Sequence, residues 1–386
     1  MKSLRKYLDN IKPQFEKGGK LEKLHSTFEA FESFLFVSDK VTFKGSHIRD
    51  SLDLKRTMSV VIIALVPALL FGMWNIGYFH FKSIGMEAGL WACFFHGFIK
   101  ILPIIAVSYI TGLGIEFIFA QSRGHEVNEG FLVSGMLIPL VMPVDIPLWM
   151  VAVATAFAVV IGKEAFGGTG MNIFNPALLA RAFIFFAYPG RITGDFVWIS
   201  GLTGRENIVD GFTGATPLAL ASTGAALPSI SDLFFGFVPG SIGETSKLAI
   251  IIGAIILLIS GIGSWRIMLA SLTGGLFMGY TFNLIGANHY MQIDAITQIA
   301  MGSFLFGVVF MATDPVTACQ TNRGKYIYGF LIGMFAIMIR IFNPAYPEGT
   351  MMAILLMNTF APLIDHYVVE ANISRRLKRA VKTVKS

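Results

Sequence analysis

A hydroxyl group flanked by small residues is the most distinctive chemical feature of the sequence. Residues 210–216 read Asp-Gly-Phe-Thr-Gly-Ala-Thr and end at Thr216. The Thr216 hydroxyl could form a phosphoester, because Gly214 and Ala215 are small enough to let a modifying transferase reach it. The alternative is structural, since Pro217 and an apolar run follow, and threonine before proline is a typical helix start.

A second candidate is the glycine-rich turn at residues 167–170, Gly-Gly-Thr-Gly, which is followed by Asn172 and Asn175. Backbone N–H groups in such a turn, just before a helix start, can face an anionic or polar ligand. The two asparagine amides could hydrogen-bond the edge of a ligand or an unwound stretch of backbone. The turn does not follow a strand, so it does not fit a dinucleotide-binding fingerprint. A tight turn between two helices explains the pattern equally well.

Acidic residues within apolar stretches, or at their ends, form a third group. They are Glu116, Glu129, Asp145, Asp314 and Asp365. An ionisable group in a membrane segment is costly and suggests an ion path, and a hard cation such as Na⁺ prefers oxygen ligands. Asp314 is the strongest candidate because it follows the apolar run 304–311 and precedes Pro315. Asp145 and Asp365 could instead be solvated at an interface.

The composition indicates which solvent surrounds the elements that position these residues. Hydrophobic residues make up 54 % of the 386 residues and charged residues only 14 %, with a mean hydropathy of +0.66. A soluble domain carries about 25 % charged residues, so most of the chain is predicted to lie in lipid. Cys93 and Cys319 are far apart, which argues against an iron–sulfur or zinc site formed by this chain alone. No nucleic-acid partner is expected.

The sequence contains ten predicted apolar spans. They cover approximately 58–79, 97–119, 130–144, 147–162, 175–188, 247–263, 265–285, 295–312, 326–343 and 350–367. Lysine and arginine concentrate in the N-terminal segment and after Ala371, which places both termini in the cytoplasm. Both termini on one side require an even number of spans. With ten spans, the loop 189–246 and Thr216 lie on the extracytoplasmic side.

Two short motifs recur with nearly the same shift. Residues 142–145 resemble 311–314, a shift of 169, and residues 174–177 recur as 342–345, a shift of 168. Five spans in each half give the halves opposite topologies, which is the inverted-repeat architecture of many transport proteins. The predicted fold is an all-α integral membrane protein with two inverted five-helix repeats, a frame like that of urea transporters. Asn-Pro is also a common turn or helix-start signal, so the second match could arise without a repeat.

These boundaries divide the chain into five parts. The N-terminal part, 1–56, is charged and cytoplasmic, either a helix on the membrane or on a partner or a lid over a ligand site. The others are the first repeat at 57–188, the extracytoplasmic loop at 189–246, the second repeat at 247–367 and a basic cytoplasmic tail at 368–386.

Several motifs together resemble one family along essentially the whole chain. They are Ser46–Asp50 with Asp53–Arg56, Val127–Phe131, Lys163–Ala182, Asp210–Thr216, Ala312–Val316, Asn343–Gly349 and Phe360–His366. The sequence resembles the B-subunit family of the bacterial Na⁺-translocating NADH:quinone oxidoreductase. It is more distantly similar to the D-subunit of the Rnf-type ferredoxin:NAD oxidoreductase. The long N-terminal segment favours the quinone-linked enzyme and suggests that residues 1–56 border its quinone site.

The resemblance implies a covalent flavin. In this family the final threonine of the motif, here Thr216, carries FMN through a phosphoester, which a dedicated flavin transferase forms on the extracytoplasmic side. Asp210, Gly214 and Ala215 match the rest of the attachment motif. The family also implies a non-covalent riboflavin, and the turn chemistry described above makes Asn172 and Asn175 its expected contacts.

The resemblance also implies an electron path, an ion path and partners. Electrons would pass from a flavin on the C-subunit to the FMN, then to riboflavin and to quinone, within a multi-subunit complex of the bacterial inner membrane. Glu129, Asp314 and Asp365 lie in motifs that match acids implicated in Na⁺ uptake. NADH is expected to bind another subunit, because no nucleotide-binding fold fits here. The alternatives are the ferredoxin-linked Rnf protein and a passive inverted-repeat channel or solute carrier, which would not need the Thr216 motif.

Overall fold

Helices form the regular structure of the protein. The computed structural model describes residues 2–15, 18–21, 25, 28, 32, 36, 42, 44–46, 54–124, 130–202, 212–343 and 349–384, and no strand occurs within these ranges. Glu129, Asp210 and nearly half of the segment 1–56 lie outside the described residues. The expectations for them therefore stay predictions.

The helices are numbered in chain order. The α-helices are Lys2–Ile11 (α1), Leu54–Ser83 (α2), Leu90–Arg123 (α3), Phe131–Leu140 (α4), Leu148–Gly162 (α5), Pro176–Ala187 (α6), Pro217–Thr223 (α7), Ile230–Phe235 (α8), Lys247–Ile259 (α9), Trp265–Ile285 (α10), Ala295–Ala300 (α11), Phe304–Phe306 (α12), Asn322–Phe342 (α13) and Thr350–Val384 (α14). A π-helical turn, Gly307–Met311, continues α12. Short 3₁₀ turns occupy Lys12–Gln14, Glu164–Phe166, Pro189–Arg191 and Tyr290–Gln292.

Six helices in the described part of the chain are long and apolar enough to cross a membrane. Their candidate spans are Lys55–Ser83, Leu90–Arg123, Leu148–Phe166, Trp265–Ile285, Asn322–Phe342 and Thr350–Arg379. Each exceeds or approaches the roughly 20 residues that cross a hydrocarbon layer. The all-α membrane fold is thereby confirmed. The helices α4, α6 and α9 are apolar but shorter, and the count of ten spans and the inverted repeat remain predictions.

The apolar helices pack in two similar groups of three. In the first half, α5 packs against both α3 and α6, and in the second half α13 packs against both α10 and α14. Helix α2, in the first half, packs against α3 and also against α9, in the second half. The contact between α2 and α9 therefore joins the two halves. An internal repeat requires corresponding helices to pack against each other in the same way in both halves. The contacts of the two groups of three are consistent with such a repeat.

Helices α10 and α13 approach each other closely because glycines lie at their contact. A Cβ atom on Gly333 would overlap the carbonyl oxygen of Ser271, and one on Gly274 would overlap the carbonyl oxygen of Phe330. Small residues allow membrane helices to pack backbone against backbone. These two glycines therefore allow α10 and α13 to pack closely.

We expect Gly333→Ala to destabilise the protein by about 1–3 kcal/mol, because the added methyl group forces α10 and α13 apart. Thermal unfolding of the detergent-solubilised protein measures the effect. The matched control is Gly114→Ala in α3, where an added Cβ meets no atom within 4 Å. There we expect a neutral or slightly stabilising change, because alanine favours the helix more than glycine. Equal behaviour of the two variants would contradict the close packing.

The predicted span 295–312 is interrupted between α11 and α12. Gly302 has a φ of +62°, a left-handed conformation that glycine adopts readily. Two buried cations take up backbone carbonyls at the break: Arg340 donates to the Met301 oxygen at 3.2 Å and Lys247 donates to the Gly302 oxygen at 3.0 Å. A broken helix inside a membrane is tolerated when its freed backbone groups find such partners.

Candidate functional site

A cavity of about 220 Å³ lies beside Thr216, and we call it the Thr216 cavity. Its walls come from α6, from the loop after α6, from the start of α7, from the start of α9 and from the break before α12. The lining residues that bear on its chemistry are Arg181, Trp198, Thr216, Glu244, Lys247 and Gly302. Thr216, which ends the motif singled out in the sequence, therefore lines a cavity whose mostly apolar wall includes several charged side chains.

Thr216 is the N-cap of α7, as one of its two interpretations predicted. Its side-chain oxygen accepts the N–H of Ala219 at 3.2 Å, and Pro217 takes the first helical position. The cap does not exclude an ester, because accepting one hydrogen bond leaves the half-buried hydroxyl its own proton. Gly214 is required by packing, since a Cβ atom there would overlap the carbonyl oxygen of Asp195.

Two cations line the Thr216 cavity and are almost fully buried. Arg181 is 3 % exposed and Lys247 is 2 % exposed. The Lys247 ammonium donates to the backbone oxygens of Glu244 at 2.7 Å and Gly302 at 3.0 Å. The Arg181 guanidinium carbon lies 5.9 Å from the centre of the Trp198 ring. Cations of this kind can pair with an anionic group such as a phosphate, and two carboxylates in the same lining, Asp195 and Glu244, balance their charge.

A buried carboxylate faces the same cavity. Glu244 is 5 % exposed, and its Oε1 accepts the backbone N–H of Ser241 at 3.1 Å. Its Oε2 lies 3.8 Å from Arg181 Nη1, and it has no hydrogen-bond partner in the described structure. Sequence reasoning missed Arg181, Glu244 and Lys247 as site residues. The available signal was a basic residue inside or at the start of an apolar helix, which is costly unless it has a partner or a function.

A second, smaller cavity of about 80 Å³ lies near Asp314, and we call it the Asp314 cavity. It brings together two sites that the sequence analysis proposed separately, the pair Asn172 and Asn175 and the acid Asp314. Lys163 and Thr169 also line it. The glycine-rich turn, the start of α6 and the segment after the π-helical turn therefore meet at one place.

Asn175 and Asp314 are in direct contact across this cavity. Asn175 caps α6 by accepting the N–H of Ala177 at 3.0 Å, and its amide group donates to Asp314 Oδ2 at 3.4 Å. Asp314 also accepts the Val316 N–H at 3.1 Å and the Thr317 hydroxyl at 3.0 Å. Burial raises the pKa of the Asp314 carboxyl, and the hydrogen bonds from Val316, Thr317 and Asn175 act in the opposite direction. Such a carboxylate offers oxygen atoms of the kind that Na⁺ prefers.

The glycine-rich turn is a tight turn, as one of its interpretations predicted. Gly167, Gly168 and Gly170 have φ values of +118°, +97° and +90°. Asn172 donates to the backbone oxygen of Phe174 at 3.1 Å, so its amide stabilises the approach to α6. The turn and a ligand site are compatible, because Asn172 still lines the Asp314 cavity.

Asp365 is not among the residues that line the Asp314 cavity. Its carboxylate lies at the start of α13, where it accepts the N–H of Gln320 at 2.6 Å and the N–H of Thr321 at 3.0 Å. It also accepts the Thr321 hydroxyl at 2.5 Å. Asp314 and Asp365 therefore hold opposite ends of one short segment, 314–321.

A buried ion pair beside the Asp314 cavity is a further feature that sequence reasoning did not assign. The Lys163 ammonium bonds to the carboxylate of Glu116 on α3, and each residue is 4 % exposed. A second pair lies next to it, in which Arg123 donates to Glu164 Oε2 at 2.8 Å. The charges of Lys163 and Glu116 therefore offset each other where both side chains are almost fully buried.

We expect Lys163→Met to destabilise the protein by about 3–5 kcal/mol, because it leaves the Glu116 carboxylate buried without its partner. The double variant Lys163→Met/Glu116→Leu should recover most of this loss, since it removes both charges together. Denaturant titration in detergent gives the two stabilities. If the double variant were as unstable as the single one, packing rather than charge pairing would explain the effect.

Helix α9 connects the two cavities. Lys247 at its start lines the Thr216 cavity, and Leu257 near its end lines the Asp314 cavity. Ten residues of α-helix rise about 15 Å, so the two cavities lie at opposite ends of the same helix. Helix α6 also reaches both cavities. Asn175 at its start lines the Asp314 cavity, and Arg181, further along, lines the Thr216 cavity. A transfer process that uses both cavities would therefore run along α6 and α9.

Known proteins are similar to this chain along its full length. The B-subunit of a Na⁺-translocating NADH-quinone reductase from Ectopseudomonas mendocina is 47 % identical, over 98 % of this chain and 100 % of the relative. The protein of the same description from Azotobacter vinelandii is 46 % identical with the same coverage. The one from Chromohalobacter salexigens is 45 % identical, over 97 % of this chain and 96 % of the relative. The model of the NQR2, RnfD, RnfE family matches residues 41–374. The chain, with its helical membrane fold, therefore belongs to the NQR2, RnfD, RnfE family.

Proposed function

We propose that this chain is the integral membrane B-subunit of a Na⁺-translocating NADH:quinone reductase in the bacterial inner membrane. The observation that carries the proposal is the similarity of about 47 % identity over nearly the whole chain to proteins of that description. The same similarity favours the quinone-linked enzyme over the ferredoxin-linked Rnf protein. A passive channel is a weaker alternative, because it gives no reason for two buried cations around a modifiable hydroxyl.

The Thr216 cavity supports the proposal that Thr216 carries FMN. The half-buried hydroxyl lies at the cavity wall, and the buried cations Arg181 and Lys247 favour a phosphate and a polar ring there. Gly214 and Ala215 place no large side chain directly before Thr216 in the sequence. Asp210, which completes the attachment motif, lies outside the described residues.

The Asp314 cavity supports proposals for riboflavin and for Na⁺. Asn172 and Asn175 line this cavity, and their amide groups are of the kind that contacts a polar ring edge. Asp314 offers carboxylate oxygens in the same place, with Asp365 and Glu129 as further members of the proposed Na⁺ path. Electron transfer from NADH towards quinone is the chemistry that FMN and riboflavin would supply when bound. The chain's own part would be to hold these groups in two cavities at opposite ends of α9, one lined by Lys247 and the other by Leu257.

The proposed topology places both termini in the cytoplasm and the Thr216 cavity on the extracytoplasmic side. The flavin transferase would reach Thr216 from that side, and the flavin-carrying C-subunit would deliver electrons there. The Asp314 cavity, at the other end of α6 and α9, would then face the cytoplasmic half of the membrane, where residues 1–56 could border the quinone site. This proposed topology divides the chain into five parts, at 1–56, 57–188, 189–246, 247–367 and 368–386.

Membranes that contain or lack this chain test the function. In a bacterium that encodes the complex, deleting the gene for this chain should abolish Na⁺-stimulated reduction of a soluble ubiquinone analogue by NADH. Re-expression of the chain should restore it. Restoration of ferredoxin-linked NAD reduction, without Na⁺-stimulated quinone reduction, would instead support the Rnf-type role.

A further inference from the structure

One carboxylate oxygen in the Thr216 cavity has no hydrogen-bond partner among the described residues. It is Oε2 of Glu244, a residue that is 5 % exposed. The nearest cation, Arg181 Nη1, lies 3.8 Å away, which is beyond hydrogen-bond distance. Buried polar atoms almost always have a partner, so an exception that faces a cavity points to a missing donor. A ligand in the Thr216 cavity could supply that donor.

The surroundings of this oxygen define which donor fits. Arg181 lies beside Glu244, so a guanidinium, which donates hydrogen bonds, and a carboxylate, which accepts them, both line the cavity. The Trp198 ring lies next to the guanidinium, at 5.9 Å from its carbon, and forms a flat apolar wall. A ligand complementary to this arrangement has a planar ring with an N–H next to a carbonyl group. The imide edge of an isoalloxazine ring has this pattern, with one N–H between two carbonyls.

We propose that Glu244 binds the imide N–H of the flavin ring that is attached at Thr216, with Arg181 donating to a neighbouring carbonyl. This inference rests on the proposed function, since it needs a flavin at Thr216. It adds a second fixed point to the attachment: the phosphoester holds one end of the cofactor, and the Glu244–Arg181 pair orients the ring at the other end. Glu244 is held for this role by the N–H of Ser241, which occupies its other oxygen.

The proposal has a measurable electrostatic consequence. Adding an electron to the ring places negative charge beside a carboxylate in a site with little water, where charges interact more strongly than in solvent. The carboxylate therefore opposes reduction and lowers the midpoint potential of this flavin. Removing its charge should raise that potential.

The experiment compares three forms of the full chain, each co-expressed with the flavin transferase and purified in detergent: the wild type, Glu244→Gln and Asp294→Asn. Glu244→Gln removes the charge but keeps an acceptor for Ser241. Asp294→Asn is the matched control, because it removes a carboxylate that caps α11, where asparagine is an equally good cap, and Asp294 does not line the Thr216 cavity. Spectroelectrochemical titration gives the midpoint potential, with the Thr216→Ala chain as the blank for non-covalent flavin. In-gel fluorescence of the denatured chains separately reports covalent attachment.

We expect Glu244→Gln to keep the fluorescent band and to increase the ratio of reduced to oxidised flavin about tenfold at a fixed potential. For a one-electron couple, this ratio corresponds to a shift of about 59 mV to more positive potential. Asp294→Asn should leave the potential unchanged. If Glu244→Gln does not purify as a folded protein, Glu244→Asp withdraws the carboxylate by one methylene and should shift the potential in the same direction by less.

Three results would overturn the inference. An unchanged potential in a fluorescent Glu244→Gln or Glu244→Asp chain would show that Glu244 does not contact the ring, and would leave the flavin at Thr216 in place. An equal shift in Asp294→Asn would show an effect of total charge rather than of contact. A wild-type chain without a fluorescent band, with the transferase active on a control protein, would remove the covalent flavin and this inference together.

Discussion

Thr216→Asn is expected to abolish the covalent flavin completely while leaving the stability of the protein close to that of the wild type. Asparagine is one of the best N-cap residues, so its side-chain oxygen can accept the Ala219 N–H that Thr216 accepts now. It has no hydroxyl, so a phosphoester cannot form. In-gel fluorescence after co-expression with the transferase measures attachment, and thermal unfolding in detergent measures stability.

Two further variants at this position separate the cap from the attachment. Thr216→Ser keeps both the cap and the hydroxyl, so it should retain the fluorescent band wherever the transferase accepts serine. Thr216→Ala loses both, and the lost cap should cost about 1 kcal/mol. A fluorescent band in Thr216→Asn would place the flavin on another hydroxyl, such as that of Thr213 or Thr223. A dark wild-type chain beside a fluorescent control protein would reduce the role of Thr216 to that of a helix cap.

Whether a feature could be predicted from the sequence depends on how far apart along the chain its interacting residues lie. The cap at Thr216 and the helix start at Asn175 were predictable, because an N-cap depends on residues within one helical turn. The walls of the Thr216 cavity were not, because Arg181, Glu244 and Lys247 come from separate elements. Their meeting depends on how α6 and α9 pack around the break at Gly302, and hydropathy alone contains no information on that packing.

In the membrane helices, too, the sequence predicts local features but not contacts between residues that are far apart along the chain. Apolar runs predicted helices at the right places, because a membrane segment must satisfy its backbone groups internally and a helix does so. The span predicted at 295–312 did not reveal its break, since Gly302 lies in an apolar run and the partners of the freed carbonyls, Lys247 and Arg340, lie far away in sequence. The approach of Asn175 to Asp314 was equally hidden. Each residue was singled out by its own motif, and only the fold brings the two motifs to one cavity.

The second large effect is expected at Asp314. We expect Asp314→Asn to weaken the apparent affinity for Na⁺ in quinone reduction at least tenfold, a loss of about 1.4 kcal/mol. Asparagine keeps the size of the side chain and one oxygen, which can accept from Val316 in the position of the present Oδ1, but it removes the negative charge that would attract the cation. Because burial raises the pKa of the Asp314 carboxyl, protons should compete with Na⁺ as the pH falls. The wild-type affinity for Na⁺ should therefore decrease towards acidic pH, and the variant should lose this dependence.

Asp145→Asn provides the matched control for this experiment. Asp145 matches Asp314 in the predicted repeat, but it pairs with Lys100 at 3.2 Å and accepts the Gly201 N–H at 2.6 Å, and it does not line the Asp314 cavity. Its neutralisation removes the same charge from the protein and should leave the Na⁺ dependence unchanged. Titration of quinone reduction with Na⁺, together with Na⁺ uptake per electron in proteoliposomes of the whole complex, gives both quantities. An Asp314→Asn complex with wild-type affinity and wild-type uptake would remove Asp314 from the ion path. The Asn175–Asp314 contact would then serve only to fix the start of α6 against the segment that leads into α13.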